Sequence, residues 1–207
     1  MTHRLILSLA LLTLTACASS PPTRFYALDP APAGGSAHEA SGTPVKIDAV
    51  HIPPALDRSS MLRGESGNQL EISSQDRWAG DLGEMIRSVL TQDLAQRLPA
   101  GMVIAPESPA PANARGIVVD IMTFQPENSG QNSGDGPADG SGEVTLDADW
   151  TLLQGTQSNP VLRRSVHLTA PAGASAQGEA ASMSTLLGRL ADGIAAGIDG
   201  ASQHAQP

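Results

Sequence analysis

A regular alternation of apolar and polar residues marks the second half of the chain. Residues 143–153 place five apolar side chains on one face, at Val144, Leu146, Ala148, Trp150 and Leu152. Residues 162–169 alternate in the same way, and only the short stretch 155–160 separates the two segments. This pattern predicts an antiparallel β-hairpin with one buried face and one face in water.

Shorter apolar runs predict further strands. They lie at residues 24–28, 44–52, 56–63, 68–73, 102–105 and 116–125. The last run is apolar on both faces except at Asp120, which favours a central strand. Gly64 and Gly67 lie between the runs 56–63 and 68–73, so a second hairpin is expected there.

Two segments repeat apolar residues at helical spacing. Residues 78–98 carry the stripe Leu82, Met85, Ile86, Val89, Leu90, Leu94 and Leu98. A later segment carries the stripe Met183, Leu187, Leu190, Ile194 and Ile198. Each stripe predicts an amphipathic helix with one face on a core. Gly188, Gly193 and Gly197 are expected to weaken the second helix by about 1 kcal/mol each relative to alanine.

These elements together predict an α+β fold. We expect a two-layer sandwich, in which two amphipathic helices cover one face of a single mixed, mostly antiparallel sheet. One domain is expected over residues 25–200, followed by a disordered tail over 201–207. Residues 127–141 are rich in Gly, Asn and Ser, and they predict a mobile connection.

The start of the chain follows a different pattern. Arg4 precedes an apolar run at residues 5–14, which has the length of a signal-peptide core and is too short to span a bilayer. Ala16 and then Cys17, the single cysteine of the protein, come next. This stretch resembles the bacterial lipobox, and the resemblance implies cleavage between Ala16 and Cys17 and acylation of Cys17. The alternative is an ordinary secretory signal with a chance cysteine.

A lipobox would define the first two regions of the protein. Residues 1–16 are then a lipoprotein signal peptide, and residues 17–24 are the lipidated cysteine and a tether of at most about 25 Å. Two or more acyl chains hold a protein stably on a bilayer. Residues 18–20 lack the aspartate that resembles an inner-membrane retention signal. The expected location is therefore the periplasmic face of the outer membrane.

Composition narrows the classes of partner. The net charge is −9, with 21 acidic residues against 12 lysines and arginines, and only five residues are aromatic. An acidic chain is not expected to bind nucleic acid or to dock on anionic lipid. No cofactor is expected other than the acyl lipid on Cys17.

Catalytic and metal-binding patterns are weak in this sequence. No two histidines have the spacing of a helical metal site, so no metal is expected. Asp147, Asp149 and His167 lie on neighbouring predicted strands, and they would be the candidates in a periplasmic hydrolase. A solvated sheet face explains the same residues, and we expect no enzymatic activity.

Residues 50–82 mix charged, amide and aromatic side chains with short apolar runs. The candidates for partner binding are Leu56, Asp57, Arg58, Arg63, Gln69, Arg77 and Trp78. Arginine and tryptophan in a loop-rich region are typical of protein interfaces. An internal role is the alternative: Asp57 can pair with an arginine to hold the hairpin, and Trp78 can belong to the core at the start of the helix. The two roles are compatible.

Short motifs in the same region carry a family resemblance. Ile52-Pro53, Leu56-Asp57-Arg58, Asn68-Gln69-Leu70 and Arg77-Trp78-Ala79 stand in the order found in the ABC-type transport auxiliary lipoproteins, the PqiC-like family, which this chain resembles. The resemblance covers residues 17 to about 98, and the remainder agrees only in the order of its elements. One departure is Gly80-Asp81, where the family often has an acidic residue followed by proline.

The resemblance implies a non-catalytic accessory subunit of a lipid transport system. Such a lipoprotein docks on a periplasmic MCE-domain protein, which forms rings or tubes that carry lipid between the two membranes. It would hold the end of the tube at the outer membrane as a homo-oligomeric ring and support envelope integrity. The alternative is a free-standing outer-membrane lipoprotein that binds a periplasmic ligand or peptidoglycan.

Overall fold

The computed structural model describes residues 21–33, 42–64, 70–127, 142–155, 159–173 and 175–203. The strands in these ranges are β1 (Arg24–Tyr26), β2 (Val45–His51), β3 (Ser60–Gly64), β4 (Leu70–Trp78), β5 (Val103–Ile104), β6 (Arg115–Glu127), β7 (Glu143–Gln154) and β8 (Asn159–Pro171). The helices are α1 (Leu82–Arg97) and α2 (Ala176–Gln203). The predicted α+β class is confirmed.

Strand β6 lies at the centre of a mixed sheet. On one side it pairs antiparallel with β7, which pairs antiparallel with β8. On the other side its first half pairs parallel with β2, and its last residue meets β3 at Gly64. The sheet is completed by β4 and then β1 beyond β3, and by β5 beyond β2. The antiparallel hairpin β7–β8 and the central position of residues 116–125 were predicted correctly, and the structure adds the antiparallel pairing of β6 with β7.

One face of the β7–β8 hairpin is buried, as its alternation predicts. The apolar side chains of β7 and most of its partners on β6 point into the core, where Trp150 and Phe124 are fully buried. Both helices pack on this side, α1 mainly against β2 and α2 mainly against β8 and β7. The result is the predicted two-layer arrangement of helices on one face of a sheet.

Helix α1 starts later than predicted, at the first residue of its apolar stripe. The predicted start was Trp78, but Trp78 ends β4 and the helix begins at Leu82. Asp81 is the N-cap, and its Oδ1 accepts a hydrogen bond from the backbone N–H of Glu84 at 2.9 Å. A short polar side chain at this position favours a helix start over continuation of the strand. The cap shows that Gly80-Asp81, where the sequence departs from the pattern it resembles, provides a helix start.

The second predicted hairpin also differs at its ends. Its strands pair antiparallel as expected, but β3 begins only at Ser60, and β4 runs from Leu70 to Trp78. Residues 56–59 belong to a loop, because backbone hydrogen bonds within residues 53–58 form a turn there. The connection at residues 65–69 lies outside the described part, as do residues 128–141 of the predicted mobile connection. That prediction began at residue 127, but Glu127 is the last residue of β6.

Helix α2 is longer than its apolar stripe and packs closely through its glycines. A Cβ atom on Gly197 would lie 2.5 Å from Trp150, and one on Gly188 would lie 2.5 Å from the Cβ of Ala31. These two glycines therefore allow contacts that alanine would block. A Cβ on Gly193 would meet nothing within 4 Å, so only that glycine fits the expectation of a simple weakening of the helix.

Candidate partner-binding surface

The loop between β2 and β3 carries three of the predicted partner-binding residues. Pro53 O accepts hydrogen bonds from the backbone N–H groups of Leu56 (2.9 Å) and Asp57 (3.3 Å). Arg58 Nε donates to Ala55 O at 2.8 Å. Leu56 is only 5% exposed, whereas Asp57 and Arg58 are exposed. The loop is thus fixed to the core by Leu56 and presents two adjacent opposite charges to solvent.

Arg77 and Trp78 support this loop from the end of β4. The backbone N–H of Trp78 donates to Ser59 O at 2.7 Å, and Arg77 Nη1 donates to Ser59 Oγ at 3.3 Å. The side chain of Trp78 is 5% exposed and belongs to the core, while Arg77 is half-buried. Trp78 therefore fits the internal role that the sequence left open, although it lies in a strand rather than at a helix start.

The remaining predicted site residues lie where the structure gives no side-chain position. Ala16, Cys17 and Gln69 are outside the described residues, and Arg63 is described only in its backbone. Acylation of Cys17 and the contribution of Arg63 and Gln69 to an interface stay predictions.

The sheet face opposite the helices carries cross-strand polar pairs. His51 Nδ1 lies 2.7 Å from Asp120 Oδ1, and His167 Nδ1 lies 2.6 Å from Asp147 Oδ1. Arg163 Nη2 donates to Asp149 Oδ2 at 2.6 Å. Hydrogen bonds from Ser165 and from Arg163 hold the pKa of Asp149 below its usual value. The polar residues that alternate with apolar ones along β7 and β8 therefore pair with each other across the two strands, on the open face of the sheet.

The hydrolase candidates are part of this open face. Asp147 and His167 contact each other, but Asp149 is engaged by Arg163 instead, so the three side chains form two separate pairs. Asp147, Asp149 and His167 do not line the three main cavities among the described residues. Within the described residues, no three His, Cys, Asp or Glu side chains lie close enough to hold a metal ion.

A buried charged network between the helices was not anticipated from the sequence. Arg97 donates from Nε to Asp192 Oδ1 (2.6 Å) and from Nη1 to Asp93 O (2.9 Å). Asp93 Oδ1 accepts the backbone N–H of Ala31 at 2.8 Å. Burial raises the pKa of Asp93 to about 6 despite that hydrogen bond and the charge of Arg97. The signal for it was a charged pair at i, i+4 inside the apolar stripe of α1.

This network binds residues 27–33, which we call the strap, across the two helices. The backbone N–H of Asp29 also donates to Ser184 Oγ on α2, at 3.1 Å. A cavity of about 580 Å³, the strap groove, lies between β1, the strap and the first half of α2. A second cavity of about 350 Å³, the edge groove, lies between β8 and the last turns of α2. Both grooves are open to solvent at an edge of the sheet.

No helix in the described part of the chain combines the length and the apolar character that a membrane crossing needs. This finding concerns only the ranges for which positions are given.

Comparison with known proteins gives a family and a fold. A family model described as "ABC-type transport auxiliary lipoprotein component" matches residues 26–195. No curated protein matches the chain. A solved structure from Xanthomonas campestris is similar with a TM-score of 0.71 and 14% identity, over 88% of this chain and 98% of that chain. Another, described only as an uncharacterized protein, gives a TM-score of 0.65 and 20% identity, over 86% and 99%. At these identities the two structures show the shared fold alone.

Proposed function

The chain belongs to the family of ABC-type transport auxiliary lipoprotein components, and from this premise we propose that it is a non-catalytic, lipid-anchored accessory subunit of an MCE/ABC-type intermembrane lipid transport system. In this role it docks the periplasmic MCE-domain tube at the outer membrane and supports envelope integrity. Membership of the family associates the chain with an ABC transport system, and the MCE partner is our proposal.

The observation that carries the proposal is the fixed loop between β2 and β3. A protein interface gains affinity when its contact residues are already held in place, because less conformational entropy is lost on binding. Asp57 and Arg58 are held by the turn at Pro53 and by the buried Leu56. Arg77 is half-buried and donates a hydrogen bond to Ser59, the residue after Arg58, so we expect the three charged residues to face one polar partner surface.

The anchor and the tether complete the proposed role. Acylated Cys17 would fix the protein to the outer membrane, and residues 17–24 would keep the domain of residues 25–200 within about 25 Å of it. The family is one of transport auxiliary lipoproteins and not a known enzyme family. The separate pairing of Asp147 and Asp149 supports the non-catalytic role.

Charge reversal at Arg58 tests the interface. The full chain is purified from gently solubilised envelopes, and the proteins that accompany it are quantified by mass spectrometry. We expect an MCE-domain protein in stoichiometric amount with the wild type and at least a tenfold loss with Arg58→Glu. That loss corresponds to about 1.4 kcal/mol. The fold is expected to be unaffected, since the Arg58 side chain is exposed and bonds only to Ala55 O among the described residues.

Two control variants make the result specific. Arg58→Lys keeps the positive charge and is expected to retain most of the partner. Glu107→Arg reverses an exposed charge elsewhere on the surface and is expected to co-purify as the wild type does. Normal recovery of the partner with Arg58→Glu contradicts the chosen interface. A wild-type protein that is lipidated yet comes down alone contradicts the transport role and favours a free-standing lipoprotein that binds a ligand or peptidoglycan.

A further inference from the structure

Three described strands lie at an edge of the sheet, β1, β5 and β8, and β5 has only two residues. Among the described strands, β1 pairs only with β4, and β8 pairs only with β7. An unpaired strand edge presents backbone donors and acceptors to any strand that can reach it. The edges at β1 and β8 differ in length, charge and surroundings, so they can be considered as two different surfaces.

The outward-facing groups of β8 follow from its register. Ala172 N–H donates to Gly142 O on the β7 side, and the register keeps the same offset back to residue 162. In an antiparallel pair, alternate residues point toward and away from the partner. The backbone groups of Arg163, Ser165 and His167 therefore point away from β7, and no hydrogen bond joins them to another described residue.

The end of the same edge is protected. Arg189 Nη1 donates to Thr169 O at 2.7 Å, and Ser182 Oγ donates to Pro171 O at 2.5 Å. At the other end, Pro160 has no N–H to offer. The unpaired part of the edge is thus limited to the middle of β8, from Arg163 to His167, which is long enough to pair with a short strand. The edge groove lies beside it on the helix side, with Arg164 in its wall.

The edge at β1 is shorter, and its one charged residue, Arg24, is already paired with Asp76 at 2.8 Å. Tyr26 O accepts from Ala79 N–H on the β4 side, so the backbone groups of Phe25 and Ala27 point outward. The ring of Phe25 is 66% exposed, whereas the other phenylalanine of the protein, Phe124, is buried in the core. Asp29, in the wall of the strap groove, is exposed on the helix side of this edge.

We propose that β1 of one copy of this chain adds to β8 of a second copy, so that the sheet continues from molecule to molecule. Following the pairings from β1 through β4, β3, β6 and β7 shows that β8 runs opposite to β1. A head-to-tail continuation therefore makes an antiparallel pair with the helices of both copies on the same side. Asp29 of one copy then lies on the same side as Arg164 of the next.

Charge favours this contact over a pair of identical edges. Two β8 strands pairing antiparallel about Ser165 would place Arg163 of each copy opposite His167 of the other, so neither arginine would gain an acidic partner across the new contact. Against β1, the outer-face side chains of β8 instead cover the exposed ring of Phe25. A head-to-tail contact of this kind generates rings or open filaments, because each copy keeps one edge free.

The inference deepens the proposed function, since it names the surfaces by which copies of the accessory subunit would meet. Its test is independent of the docking experiment, however. Loss of the MCE-domain partner with Arg58→Glu leaves self-association intact if both proposals hold. A chain that assembles through β1 and β8 but recovers no partner contradicts only the transport role.

Two substitutions at Ser165 test the backbone contact. Ser165→Ala and Ser165→Pro both remove the hydroxyl that bonds Asp149, but only proline removes the outward N–H. Proline is tolerated on an edge strand when its nitrogen faces outward. The full chain is purified in detergent, and its mass is measured by light scattering over a hundredfold range of concentration. We expect oligomers for the wild type and Ser165→Ala, and at least a tenfold weaker association for Ser165→Pro.

Circular dichroism and thermal unfolding verify that Ser165→Pro retains the fold. If that variant does not fold, the side-chain variant Phe25→Ala replaces it, with Met122→Ala, another exposed apolar residue, as its control. Phe25→Ala is expected to weaken self-association, and Met122→Ala is not. A wild type that is monomeric at every concentration overturns the proposal, and so does equal association of Ser165→Ala and Ser165→Pro.

Cross-linking distinguishes head-to-tail from symmetric contact. Chains carrying Phe25→Cys or Ser165→Cys are co-expressed with different tags and treated with a short bismaleimide. We expect cross-links between the two variants and none within either variant alone. The wild type, with Cys17 only, is the blank. Self-linking of Ser165→Cys chains shows pairing of two β8 edges, and it overturns the proposal.

Discussion

At the scale of single residues, Arg97 and Asp93 decide how the first described segment joins the rest of the protein. Both side chains are almost fully buried. Arg97 also approaches the carbonyl oxygens of Ala31 and Pro32, each at 3.4 Å, so one guanidinium contacts α1, α2 and the strap. A buried arginine needs such partners, because removing its charge from water is costly.

Asp93 makes the stability of the protein depend on pH. Its pKa is raised to about 6, because burial disfavours the charged form and the nearby Asp192 adds to the effect. Between pH 4 and 6 the unfolded chain has released this proton while the folded chain still holds it. The free energy of unfolding therefore falls as pH rises through this window, by about 2–3 kcal/mol from this group, and is constant above it.

Asp93→Asn removes the titrating carboxyl group, so its stability is the reference for the wild type at each pH. Urea unfolding of wild type and variant is measured from pH 4 to pH 7.5. We expect the stability of the wild type relative to the variant to decline between pH 4 and 6. A difference that stays the same at every pH would contradict the assignment to Asp93.

At the scale of elements, the glycines of α2 show how packing outweighs helix propensity. Alanine is the better helix former by about 1 kcal/mol. At Gly197, however, the added methyl group would collide with the buried Trp150, whereas at Gly193 it would enter open space. Close packing thus requires glycine at position 197 of this helix but not at position 193.

Paired substitutions measure this contrast. Gly193→Ala is expected to raise the free energy of unfolding by about 0.5–1 kcal/mol. Gly197→Ala is expected to lower it by about 1–3 kcal/mol, because overpacking of a filled core exceeds the gain in propensity. Chemical denaturation of both variants beside the wild type gives the two values. A stabilising effect of Gly197→Ala would show that α2 can move away from Trp150 at little cost.

At the scale of the whole molecule, the proposed anchor and the proposed edge contacts act on the same segment. The tether precedes β1 directly, so a strand that pairs with the next copy would also be the strand nearest to the membrane. The strap then fixes this segment to α1 through Asp93 and Arg97, and to α2 through Ser184. The segment that anchors the protein and the segment that pairs with the next copy would thus join the folded domain at the same place.

Two variants at the start of the chain test the anchor. Cys17→Ser is expected to abolish incorporation of a labelled fatty acid and recovery in the outer-membrane fraction, because only the thiol accepts the lipid. Ala18→Asp keeps Cys17 and is expected to retain the label while moving the protein to the inner-membrane fraction. Labelling of Cys17→Ser would place the lipid on another residue, and a wild type without label would exclude acylation.

The sequence by itself determined the α+β class, the β7–β8 hairpin, the central position of β6 and the presence of two helices. These follow from local periodicity, since alternation and helical spacing are properties of neighbouring residues. The motifs of residues 52–79 likewise pointed to the family that the comparison of residues 26–195 shows.

Only the tertiary structure decided the features that depend on residues far apart in the chain. Trp78 could end a strand or begin a helix until its contact with Ser59 and the cap at Asp81 were known. Arg97 and Asp192 form an ion pair although they are 95 positions apart in the sequence, and Gly197 packs on Trp150 across 47 positions. Periodicity shows which face of an element is buried, but the partner that covers it is set by how the complete chain packs.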